Sequence, residues 1–214
     1  MKHMIVVDGF SGTRKLLCQL ISNTRKDYVV DQAMSVVEAE SIIRQKRVNL
    51  VILDISKPTK NGLEALLDIK QLFPKIPVLV VNGPAHAKYA DHFMDIRCEG
   101  YLTKDADYAE LCKAIQAILG GGTYFPAVMN SGAQAVDKSR YPKRLSSREM
   151  QIFLKTIKGM TTKSMSNELK ISSSTVSVTK SNIMRKMQLH DRRELIMYAL
   201  RQEWLPPNYI FQPR

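Results

Sequence analysis

Short apolar runs rich in Val and Ile recur along the N-terminal part of the chain: Met4 to Val7, Tyr28 to Val30, Leu50 to Leu53, Val78 to Val81, and Tyr101 to Leu102. Each is too short for a helix. Between them apolar residues return at helical spacing, at Leu16/Leu17/Leu20/Ile21, Val36/Val37/Ile42/Ile43, Leu63/Leu66/Leu67/Ile69 and Leu111/Ile115/Ile118/Leu119. The alternation reads as five βα units. It predicts an α/β fold with a five-stranded, doubly wound parallel sheet, an architecture that gathers its ligands at the carboxyl ends of the strands.

Gly120, Gly121 and Gly122 end this pattern, because three residues without Cβ have too much freedom to lose in a helix. We therefore place a first domain at 1–122. A linker at 123–143 follows, small and polar with Pro126, Gly132 and Pro142, and with one short helical turn expected at Ala127 to Asn130.

A second, smaller all-α domain is expected at 144–205. It opens on Ser146-Ser147-Arg148-Glu149, where a Ser and a Glu three residues later form a capping box. Met150, Phe153, Leu154 and Ile157 share the first apolar face, and Gly159 stops that helix. A short helix from Thr162 to Leu169 comes next, then one capped by Ser172 with Val176, Ile183 and Met187 on one face. Asp191 and Glu194 start a fourth helix, expected to reach about Trp204. Pro206 and Pro207 open a tail at 206–214.

Charge separates the two parts as clearly as periodicity does. Residues 1–122 carry 16 Lys and Arg against 14 Asp and Glu, whereas 123–214 carry 16 against 6. A compact basic segment beside a nearly neutral one suits a polyanion partner. The three cysteines, Cys18, Cys98 and Cys112, form no CxxC or Cys/His cluster and read as reduced core residues. No apolar run is long enough for a membrane span, so no membrane association is expected and the location is read as cytoplasmic.

Three strand ends carry polar residues that converge in such a sheet: Asp8, Asp54 and Lys104. A carboxylate beside a lysine at that place is chemistry rather than packing. The stretch from Asp54 through Asn61-Gly62-Leu63-Glu64 resembles the signature of phospho-receiver domains, and Gly100-Tyr101-Leu102-Thr103-Lys104-Asp105 resembles their fifth-strand motif. In the C-terminal part, Leu145-Ser146-Ser147-Arg148-Glu149, Gly159, Ile171 to Val176 and Asn182 to Met187 are similar to the LuxR-type helix-turn-helix. The combination resembles the NarL/FixJ class of two-component response regulators over nearly the whole chain.

The resemblance implies that Asp54 accepts a phosphoryl group from a sensor histidine kinase, that Lys104 pairs with the acyl phosphate, and that Asp8 and Asp54 hold Mg²⁺. Tyr101 falls at the switch aromatic position, although an ordinary half-buried strand aromatic also explains it. Two departures stand out. Gly9 replaces the second metal carboxylate of the family, which weakens the Mg²⁺ site. Asn82 replaces the usual Ser or Thr of the phosphate pocket, where its bulkier amide still donates. The receiver is therefore either phosphorylated inefficiently or phosphorylation-independent.

For the basic domain the resemblance implies a transcription regulator that binds double-stranded DNA as a homodimer. Core-facing Val176, Ile183 and Met187 turn Ser177, Val178, Ser181 and Arg185 outward, toward a major groove. Ser177, Val178 and Ser181 meet base edges in this reading, and Lys163, Thr175, Lys180, Arg185 and Lys186 meet phosphates. Ser177 and Thr179 depart from the family's basic residue and His. Leu195, Ile196, Ala199 and Leu200 are the pairing surface by resemblance, or else ordinary core. No enzyme activity is expected, since a dehalogenase-type phosphatase needs an Asp at position 56, which is Ser. The competing reading is an adaptor whose helical domain binds RNA or protein.

Overall fold

The computed structural model describes residues 2–55, 62–82, 98–126 and 145–201, with the side chains of 62, 63 and 82 outside that description. The chain divides into two compact units, Met1–Ala133 and Gln134–Arg214.

In the first unit five parallel strands, β1 (Lys2–Val7), β2 (Tyr28–Ala33), β3 (Val48–Asp54), β4 (Val78–Asn82) and β5 (Gly100–Thr103), stand in the order β2-β1-β3-β4-β5. The described helices are α1 (Ser11–Thr24), α2 (Val36–Gln45), α3 (Gly62–Leu72) and α4 (Tyr108–Leu119). This is the doubly wound parallel sheet that the alternation predicts. The connection from β4 to β5 lies outside the described residues. Strands run a little longer than the apolar runs because their ends are polar: β2 continues through Asp31 and Gln32, and β3 ends on Asp54 itself.

The sheet's interior is apolar. Met4, Leu50, Ile52 and Leu79 are wholly buried, and they pack with Cys18, Ile21, Leu111, Ala114, Ile115 and Ile118 of α1 and α4 in one core cluster. Gly100 is where that packing is tightest, because a Cβ there would stand 2.6 Å from Ile118 Cδ1 and 3.0 Å from Leu79 Cδ1. At the sheet's amino end, Glu99 binds Lys70 Nζ at 2.7 Å and accepts the Val78 amide at 2.7 Å, fastening α3 to the start of β4. Gly121, at φ +84, turns the chain out of α4.

The second unit contains α5 (Ser147–Ile157), α6 (Thr162–Leu169), α7 (Ser173–Lys186) and α8 (Arg192–Arg201). Their starts follow the sequence closely. Ser146 accepts from the Glu149 amide while Glu149 Oε2 accepts from the Ser146 amide at 2.8 Å, closing the capping box. Thr161, Ser172 and Asp191 each accept an amide three residues on, satisfying donors that a helix start leaves unpaired. Gly159, at φ +84, ends α5. Ile152, Phe153, Leu154, Met165, Val176 and Ala199 are wholly buried. The expected turn at 127–130, Trp204 and the 206–214 tail lie outside the described residues.

Candidate functional site

The strand order sets the first site. β1 lies between β2 and β3, so crossovers leave it in opposite senses, and the carboxyl ends of β1 and β3 frame the crevice where such folds bind ligands. Asp8 follows β1 and Asp54 ends β3. The Ile55 amide donates to Val81 O at 3.2 Å, which carries sheet pairing one residue past Asp54 and fixes that carboxylate at the rim. Lys104, just beyond β5, places Nζ 2.6 Å from Asp54 Oδ2, and the Asp54 side chain is only 2 % exposed. The three residues expected to converge do so.

Asp8 is 1 % exposed. Its Oδ1 accepts the Phe10 amide at 2.7 Å, but its Oδ2 is buried with no hydrogen-bond partner among the described residues. Burial pushes the Asp8 carboxyl above its ordinary range, and the adjacent Asp54 charge pushes it the same way, against the pull of the Phe10 amide. A buried carboxylate oxygen without a donor, facing a second carboxylate, is a place where a hard divalent cation fits. The donor set is thin, because Gly9 brings no carboxylate and the described residues hold no cluster of three metal-binding side chains. Tyr101 is wholly buried rather than half-buried. Asn82 pairs in register with Thr103 at the end of β4, beside the pocket, while its side chain lies outside the described residues.

The second site is α7. Val176, Ile183 and Met187 are buried, and Ser177, Val178, Ser181 and Arg185 are exposed on the other side, as helical spacing requires. Val178 stands out at 60 % exposure. The Ser181 hydroxyl donates to Ser177 O at 3.2 Å, leaving its lone pairs outward, and Arg185 Nη2 donates to Asn182 Oδ1 at 3.1 Å. Thr175 and Lys163 are exposed at the starts of α7 and α6. The outer stripe is therefore small, hydroxylated and apolar, with one guanidinium near its end.

Residues 4–116, more than half of the chain, match the family described as response regulator receiver domain, and residues 143–199 match bacterial regulatory proteins, luxR family. The chain is a DNA-binding two-component response regulator of the LuxR type. It is 31 % identical over 215 residues to the oxygen regulatory protein NreC of Staphylococcus carnosus, covering 95 % of each chain. It is 33 % identical over 161 residues to the Fimbriae Z protein of Escherichia coli K12, covering 73 % of this chain and 76 % of that one. The fold is also that of the response regulator RcsB solved in complex with DNA, with a TM-score of 0.58 at 19 % identity over 92 % of this chain and 97 % of that one. The family is one of regulators, not enzymes. Among the described residues no helix is long and apolar enough to cross a membrane.

Several side chains of this response regulator stand elsewhere than sequence reasoning put them. Lys186 is bound to Glu149 Oε2 at 2.8 Å, where it ties α7 to the capping box of α5 instead of reaching outward. Burial alone would raise the Glu149 carboxyl, but Lys186 and the Ser146 amide hold it below its usual range. Lys180 is half-buried on the flank of α7 that turns toward α8, about 160° round the helix from Val178. Leu195, Ile196 and Ala199 are buried, which favours core over a pairing surface, while Met197 is 45 % exposed on the same helix.

Two residues at the receiver pocket escaped the sequence altogether. Arg14 donates from Nη1 to the Asp8 carbonyl, and Phe10, 52 % exposed, lies with its ring centroid 6.0 Å from Lys104 Nζ. Neither belongs to a spacing pattern. Only their closeness to Asp8 along the chain could have drawn attention to them.

Proposed function

We propose that this regulator takes a phosphoryl group on Asp54 and reads duplex DNA through the outer stripe of α7, so that the receiver controls the reader. The observation that carries the reading is the Lys104–Asp54 contact of 2.6 Å beside the buried Oδ2 of Asp8, which has no hydrogen-bond partner among the described residues. A carboxylate held at a strand end by a lysine is placed to attack a phosphorus centre, and the same ammonium then pairs with the acyl phosphate. A sensor histidine kinase is the donor this chemistry calls for. Asp8 and Asp54 are the residues that would hold Mg²⁺, whose charge offsets that of the phosphoryl oxygens. With Gly9 in place of a second acid the affinity is low, and phosphorylation is correspondingly inefficient. Tyr101 and Asn82 complete the phosphate pocket and its switch.

On the reader, Ser177, Val178 and Ser181 approach base edges, with Val178 against a thymine methyl and Ser181 offering an acceptor. Arg185, Thr175 and Lys163 contact phosphates. One helix-turn-helix covers too little surface for tight specific binding, so the regulator acts as a homodimer on paired half-sites. We assign the receiver to 1–122, the linker to 123–143 and the reader to 144–205, and we place the protein in the cytoplasm.

Incubation with acetyl phosphate, with and without Mg²⁺, tests the receiver half by intact mass. One phosphoryl group should appear on the wild type, more slowly without Mg²⁺, and none on Asp54→Ala. No mass gain on wild type, or the same gain on the variant, removes Asp54 from the account and leaves a phosphorylation-independent receiver.

A further inference from the structure

The start of α1 breaks a local rule that five other helices keep. Ser35, Asp107, Ser146, Thr161 and Ser172 cap α2, α4, α5, α6 and α7, each accepting a backbone amide three residues on. At α1 the N-cap is Phe10, in extended backbone at φ -93 and ψ 116, with its carbonyl accepting the Arg14 amide at 3.0 Å. A phenyl ring supplies no cap, and the first turn of α1 holds no acidic residue to offset the loss. Nor does burial explain the ring, since Phe10 is 52 % exposed. Departures of this kind gather at functional sites.

The ring stands at the phosphoacceptor pocket instead. Two hydrogen bonds hold this corner: the Phe10 amide donates to Asp8 Oδ1 at 2.7 Å, and Arg14 Nη1 donates to the Asp8 carbonyl from one turn further along. With the backbone so fixed, Lys104 Nζ lies over the Phe10 ring, 6.0 Å from its centroid. The same ammonium reaches Asp54 Oδ2 at 2.6 Å, and the Lys104 side chain is 28 % exposed. An aromatic face attracts an ammonium without competing for its hydrogen bonds. Lys104 is thus bound by a carboxylate on one side and faced by an apolar plate on another.

We propose that Phe10 is a positioning residue for the acyl phosphate: its ring keeps the Lys104 ammonium at the pocket and screens that rim from water, and so sets how long the phosphoryl group stays on Asp54. The role rests on phosphorylation of Asp54. Loss of the group is hydrolysis, in which a water oxygen attacks phosphorus and the bond from phosphorus to the Asp54 oxygen breaks. The water's oxygen and protons leave in inorganic phosphate as the carboxylate is set free. Excluding water from a site protects a reactive intermediate from that reaction. A serine at position 10 would cap α1 and open the rim. Phenylalanine does the reverse, giving up helix stability for lifetime.

The test uses the full chain as wild type, Phe10→Ser and the conservative Phe10→Tyr. Each is phosphorylated with acetyl phosphate and Mg²⁺, freed of donor by desalting, and followed by intact mass as the phosphoryl group is lost. Phe10→Ser should lose it about threefold faster or more, the size expected of a partly exposed cation–aromatic contact, and Phe10→Tyr should match the wild type. Unphosphorylated Phe10→Ser should nonetheless melt higher than wild type, because its hydroxyl accepts the Thr13 amide. A residue that served only the fold would move lifetime and stability together. On the unphosphorylated chain, trace acetic anhydride should acetylate Lys104, relative to exposed Lys26, about threefold faster in Phe10→Ser than in wild type. Equal lifetimes, a Phe10→Ser variant that melts lower, a Phe10→Tyr variant as short-lived as Phe10→Ser, or unchanged Lys104 labelling would each overturn the proposal. A wild type that takes up no phosphoryl group overturns it together with the reading of Asp54, whereas a phosphorylated wild type with any of those results overturns this role alone.

Discussion

The receiver pocket and the outer stripe of α7 are built from opposite materials. The pocket concentrates charge where water is scarce: two buried carboxylates and a lysine meet at the ends of three strands. The outer stripe of α7 offers hydroxyls, one valine and one guanidinium on an open surface. Buried charge is expensive unless each group has a partner, so the pocket tolerates few arrangements. A solvated stripe of small side chains tolerates many, and in the proposed reading DNA shape and a second half-site share the specificity with it.

Substitutions separate the two regions by size of effect. Asp54→Ala should abolish phosphoryl uptake entirely while leaving both folds intact, as checked by intact mass beside circular dichroism. Phe153→Ala comes next. The ring is wholly buried against Tyr198 in an edge-on contact with centroids 6.4 Å apart, and its loss should cost the reader about 3–5 kcal/mol in denaturant unfolding. Val178→Ala, on the exposed side of α7 in the same unit, should leave that unfolding curve unchanged; a comparable loss would mean that the stripe is structural.

Asp8 gives a sharper contrast, through pH. Its carboxyl is raised by burial and by Asp54, so the folded chain keeps a proton that the unfolded chain releases. Stability linked to this group is therefore present at low pH and is lost as pH rises from the ordinary aspartate range through the raised value. Asp8→Asn should melt higher than wild type at neutral pH and show a flatter decline across that window. Mg²⁺ should raise the wild-type melting temperature and do so less for the variant. A variant that melts lower at neutral pH contradicts the strained-carboxylate picture.

The strand ends were legible because they pair a rare residue type with a fixed place in a period: Asp8, Asp54 and Lys104 needed only the alternation to be brought together. Helix starts were legible for a similar reason, since Ser146, Ser172 and Asp191 act within three residues. Lys180 and Lys186 were not. Both are cations on a basic helix; only the place of Glu149, 37 residues before Lys186, ties that one down, and only the packing of α7 beside α5 and α8 turns Lys180 inward. Phe10 and Arg14 were missed because contact with Asp8 and Lys104 depends on loop geometry, not on spacing.

Smaller effects refine the same division. Lys186→Gln should cost the reader about 1 kcal/mol or less, because the pair is partly exposed. The lowered Glu149 carboxyl sets the direction: the pair's contribution is present above the ordinary glutamate range and lost as pH falls through the lowered value, so the variant's acid limb should be flatter. DNA affinity should change little; a loss as large as that from Arg185→Gln would restore Lys186 as a phosphate contact. Smallest is Val178→Ala on DNA, about threefold or less at a selected site, matching a lost methyl contact. Replacing thymine by deoxyuridine in that site should weaken the wild type and leave the variant unchanged.

The most direct test joins the two regions in one titration. A duplex selected by the full chain from a random library is titrated at fixed salt with wild type and Asp54→Ala, each before and after acetyl phosphate and Mg²⁺. Coupling through Asp54 predicts that phosphorylation tightens wild-type binding, that the variant does not respond, and that both bind less as salt rises. Confirmed phosphorylation of Asp54 with no change in affinity, or an equal gain in the variant, would contradict control of the reader by the receiver.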